Sequence, residues 1–74
     1  MKKKKILILL ERLRNKGGAW QSQYVAIQLL KELKKILPDR DYYLLCIAHS
    51  HYTIGEGAGE LYESCNHLIK KYSG

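Results

Sequence analysis

ILILL, residues 6–10, is the stretch whose reading decides the fold of this chain. Five consecutive apolar residues, with β-branched isoleucines at 6 and 8, suit a strand covered on both faces; Ile6, Leu9, Leu10 and Leu13 also fit one face of a helix. We read the stretch as a strand. Glu11 to Gly18 then becomes a charged loop that feeds a long amphipathic helix ending at Pro38, with Ser22 placed to cap its start. Within that helix Ala26, Leu29, Leu30, Leu33, Ile36 and Leu37 recur at spacings of three and four, and Gln28, Lys31, Glu32, Lys34 and Lys35 take the other face.

Beyond Pro38, Asp39 to Asp41 reads as a turn and Tyr42 to Ala48, YYLLCIA, as a second strand rich in aromatic and branched residues. His49 to Gly59 is polar and glycine-rich, a loop. From Glu60 onward Leu61, Cys65, Leu68, Ile69 and Tyr72 share a helical face, with acidic residues in the first turn and Lys70 and Lys71 in the last, as the helix macrodipole favours. The expected fold is therefore α/β: a small β-α-β-α unit whose two strands form a parallel sheet through a right-handed crossover. Two strands leave both sheet edges open. We therefore expect self-association that continues the sheet, or membership of a larger assembly.

At 74 residues the chain makes a single small domain, 1–74, with residues 1–5 a candidate disordered basic tail. Its longest apolar run is far below the roughly 20 residues that cross a bilayer, so no membrane partner is expected. The basic start followed by an apolar run resembles a signal peptide, but Glu11, Arg12 and Arg14 follow at once without a small-residue cleavage site. A cytoplasmic location is expected, in which Cys46 and Cys65 stay reduced and act as small hydrophobes.

Charge is distributed unevenly. The formal net charge of +6 sits wholly in residues 1–16, which hold Lys2, Lys3, Lys4, Lys5, Arg12, Arg14 and Lys16 against Glu11 alone; charges cancel in the remainder. Any attraction to phosphate or nucleic acid is aimed there. Where the first strand turns into the long helix, Arg12, Arg14, Lys16, Gly17 and Gly18 would surround unpaired backbone N–H groups at a positive dipole end, which makes an anion site. Neither GxGxxG nor GxxxxGKS is present to sharpen it.

The run KKILILLERLRNKGGAWQSQYVAIQLLKEL resembles the opening β-α unit of GT-B-type glycosyltransferases, in which an apolar strand leads through a loop and a Gly-Gly-Ala into a long helix. Some thirty residues carry the resemblance, chiefly Gly17, Gly18 and Ala19. It implies a Rossmann-like fold fragment; the second domain that holds the nucleotide-sugar contacts in that family has no counterpart here.

Cys46, His49, His51, Cys65 and His67 are potential metal ligands, but the paired spacings of zinc modules are absent and no metal or cofactor is assigned. His49, His51 and Glu56 could support acid-base chemistry, without a nucleophile assured of a partner. Trp20 and the six tyrosines suit an interface or core better than base stacking. The expected function is thus a small basic non-catalytic module, acting as a homo-oligomer, that contacts nucleic acid or another polyanion through Lys2 to Lys5, Arg12, Arg14, Lys16, Gly17 and Gly18. Alternatives are a helix-turn-helix or winged-helix DNA-binding protein, with Ile6 to Lys16 helical and Ser22 to Leu30 part of the motif, and a glycosyltransferase-type fragment.

Overall fold

A computed structural model of the chain describes residues 2–16, 23–53 and 58–74. They form four helices: α1 (Lys2–Lys16), α2 (Gln23–Lys34), α3 (Asp39–Thr53) and α4 (Ala58–Ser73). Helix α1 packs chiefly on α4 and also on α2, and α3 bridges α2 and α4. The fold is all-α, and the expected parallel sheet is corrected: among the described residues there is no strand.

Physical reasons for the correction lie in the flanks of the two apolar runs. Ile6, Leu9, Leu10 and Leu13 are the buried residues of α1, one stripe at spacings of three, one and three. Lys2 to Lys5 before them and Glu11 to Lys16 after them are mostly good helix formers, with no breaker between, so one 15-residue helix forms where a five-residue strand and a loop were expected. Ile8, which a strand covered on both faces would bury, is 42% exposed.

The second expected strand fails in the same way. Buried Asp41, Leu45 and Ala48 recur at four and three, a helical stripe, and the expected turn at Asp39–Asp41 is the first turn of α3. Tyr42 N–H donates to the Pro38 carbonyl at 3.0 Å, opening the helical ladder, and Asp39 and Asp41 sit where the macrodipole favours carboxylates. Of the expected 49–59 loop, His49 to Thr53 continue α3 and Ala58 and Gly59 begin α4.

Two elements match the buried pattern read from sequence, although α2 ends at Lys34, short of the expected end at Pro38. Helix α2 buries Ala26, Leu29, Leu30 and Leu33, then tightens through 3₁₀-type bonds from Lys35 N to Glu32 O (3.2 Å) and Ile36 N to Leu33 O (3.1 Å) before Pro38. The Ser22 cap lies outside the described residues. Helix α4 buries Leu61, Cys65 and Leu68, with Ile69 and Tyr72 packed at the edge. Leu10, Leu13, Leu33, Leu45, Cys65 and Leu68, drawn from all four helices, fill the centre of the core. No described helix is long and apolar enough to cross a membrane.

Two polar locks join α3 to α4, one at each end, so the two helices run antiparallel. At one end buried Asp41 accepts two bonds from Lys71 Nζ (3.0 and 3.1 Å) and one from the Tyr72 hydroxyl. At the other, His51 Nδ1 bonds the Glu60 carboxylate.

Candidate polyanion interface

Helical rather than extended geometry redistributes the cations of residues 1–16. At about 100° per residue, Lys5 and Arg12 fall on one flank of α1, Lys3 and Arg14 on the opposite flank, and Lys4 lies on the outer face with Ile8, Glu11 and Asn15. The anion site expected at a strand-to-helix junction is therefore corrected: Arg12 and Arg14 belong to different sides of one helix, inside the element instead of around its exit. Gly17 and Gly18 lie outside the described residues, and of Lys2 and Lys16 only the helical backbone is described.

Arg14 is a packing residue. Its Nη1 donates to Asn66 Oδ1 at 2.8 Å and its guanidinium lies 5.8 Å from the Tyr62 ring centre, so the charge is held against α4. By contrast Lys3, Lys4, Lys5 and Arg12 are exposed, and among the described residues none of them is ion-paired. Lys5 and Arg12 border a groove of about 400 Å³ between α1 and α2, floored by Leu9 and Leu29 and walled on the α2 side by Tyr24, Gln28 and Glu32. Two cations thus face one carboxylate, and the Tyr24 ring, 72% exposed, stands beside them.

The N-terminal position of the lysines carries an energetic cost. The first turn of a helix is the positive end of its dipole, where cations are disfavoured by about 0.3–1 kcal/mol each. Helix α1 has no acidic residue in its first turn, unlike α3 and α4. Four successive lysines there oppose the local preference that α3 and α4 obey.

Sequence reasoning missed Tyr24 and Gln28 as groove residues. The period of α2 places both on its outer side, but their meeting with Lys5 and Arg12 depends on how α2 lies against α1. The potential metal ligands do not converge. Cys65 is buried and His67 exposed, and no group of three His, Cys, Asp or Glu side chains capable of holding a metal occurs among the described residues. Burial pushes the Cys65 thiol up to about 12, against a smaller opposing effect of Arg14, so it stays protonated at neutral pH. His49 is half-buried on α3, and burial lowers its pKa.

Comparison with protein-family models, with curated proteins and with solved structures finds no match for this chain.

Proposed function

We propose that this chain is a non-catalytic binding module that contacts nucleic acid or another polyanion through α1. One observation carries the reading: the whole net charge of +6 lies in residues 1–16, and Lys3, Lys4, Lys5 and Arg12 stand exposed and unpaired among the described residues. That these lysines occupy the wrong end of a helix dipole supports it, because departures from local preference concentrate at functional sites. Arg14 is withdrawn from the contact set.

The helix-turn-helix alternative, with residues 6–16 helical and Ser22 to Leu30 in the motif, has its first condition met, since α1 covers 6–16; a version on α2 and α3 would make α3 the recognition helix. The outward face of α3 presents Arg40 together with Tyr43, Leu44 and Ile47, a single cation among apolar groups, so phosphate contacts fall to α1 instead. The glycosyltransferase-type reading requires residues 6–10 to be a strand and is not adopted, since they are helical.

The test is fluorescence anisotropy of a labelled oligonucleotide across salt. Four cations on phosphates give a slope of log K against log salt of about −3 to −4, hence affinity falling about 100-fold between 50 and 200 mM. Glutamine at Lys3, Lys4, Lys5 and Arg12 together abolishes that slope. Absent binding, or binding indifferent to salt, would refute the proposal.

A further inference from the structure

Helix α3 carries a second stripe that the fold leaves uncovered. Arg40, Leu44, Ile47 and His51 are spaced four, three and four apart, the spacing of a helix-pairing seam, and all are exposed: Leu44 at 37% and Ile47 at 55%. Tyr43, 60% exposed, flanks them. The core-facing stripe of the same helix is Asp41, Leu45 and Ala48, so α3 has apolar residues on two faces and only one is buried. Single exposed hydrophobes are ordinary, whereas a seam of them on one helix marks an interaction surface.

We infer that a second copy of this chain covers this seam, α3 against α3, antiparallel about a two-fold axis. The seam is self-complementary in that register. Setting Leu44 opposite Ile47 of the second copy also sets Arg40 opposite His51 of the second copy, whose ring is bonded to Glu60. Charge selects the same arrangement. Arg40 is exposed and in no ion pair among the described residues, and its end of the α3–α4 pair otherwise holds Asp39 and the Lys71–Asp41 pair; the other end holds the Glu60 carboxylate, about half exposed beside His51. A two-fold antiparallel pairing brings Arg40 of each copy to the Glu60 carboxylate of the other, twice, while a parallel pairing would set Arg40 against Arg40. A groove of about 630 Å³ between α3 and α4, bordered by Leu44, Ile47, His67 and Lys71, can receive side chains of the second copy, which extends the contact from one helix to two. The self-association expected from an open sheet edge has no sheet to continue; this one rests on a helix face and is independent of polyanion binding.

Sedimentation equilibrium of the full chain tests it. The expected mass is twice the 8.6 kDa of one chain, with a dissociation constant in the micromolar range. Ile47→Glu, at an exposed position, weakens dimerisation at least ~10-fold with the far-ultraviolet circular dichroism unchanged. Arg40→Glu alone weakens it several-fold. A single-chain mass persisting to about 1 mM would overturn the inference. So would a dimer that Ile47→Glu or Arg40→Glu leaves intact.

Discussion

Replacing Asp41 with asparagine tests the reasoning about the α3–α4 lock most directly. The carboxylate is buried and accepts two bonds from Lys71 and one from the Tyr72 hydroxyl. Lys71 is about half exposed, at 49%, so its ion pair is screened and contributes no more than about 1 kcal/mol. A bond from Tyr72 to a charged acceptor contributes about 1 kcal/mol more than one to a neutral amide. The substitution therefore costs about 1–2 kcal/mol, and at 4–8 °C per kcal/mol for a domain of this size Tm falls by about 4–16 °C at pH 7.

The pH dependence follows from the same contacts. Burial alone would raise the Asp41 pKa, but bonds from Tyr72 and Lys71 and the charges of Lys71 and Arg40 together outweigh it and hold the carboxyl below its ordinary 3.8. A depressed folded-state pKa stabilises the fold fully above the unfolded value and loses that contribution as pH falls through the folded one. The Tm difference between the native chain and Asp41→Asn, followed by circular dichroism at 222 nm, should be full at pH 7 and shrink below about pH 4. A difference that is absent at pH 7, or undiminished at pH 2, would show that Asp41 does not lock α3 to α4. A double-mutant cycle with Tyr72→Phe should return a coupling of about 0.5–3 kcal/mol.

Two further outcomes can be read quickly. With a thiol-specific reagent at pH 8, Cys46, which is half-buried, should react in the native protein, whereas Cys65, fully buried with its pKa pushed up to about 12, should react only on unfolding; two equally fast thiols would contradict the packing of α4. Arg12→Gln should lower polyanion affinity with Tm nearly unchanged, while Arg14→Gln should leave affinity nearly unchanged and lower Tm by a few degrees through the lost Asn66 bond; the reverse pattern would exchange the roles assigned to the two arginines.

Legibility of the fold varied along the chain for identifiable reasons. In α4, and in α2 from Gln28 onward, polar residues interrupt the apolar ones, so the 3.6-residue period stands out and the buried stripes can be named from sequence. In α1 and α3 apolar residues also occupy outward positions, Ile8 in the first and Tyr43, Leu44 and Ile47 in the second, which fills the gaps and turns a helical stripe into a continuous run. Such runs suit a buried strand as well as a helix. The signal that separates them was in the flanks: lysines, glutamate and arginines without a glycine or proline until Gly17, and two aspartates placed as a helix first turn after Pro38.

Sequence alone determined the apolar buried stripes of α2 and α4 and that residues 1–16 hold the entire net charge, because these depend only on residue type and local spacing. Tertiary structure decided which cations are free. Arg12 and Arg14 are two apart and chemically identical, yet one borders an open groove and the other is bonded to Asn66, 52 residues away along the chain. It also decided that α3 keeps one apolar face in solvent: which of two apolar stripes a helix buries is set by the neighbours it meets, and no local pattern contains them.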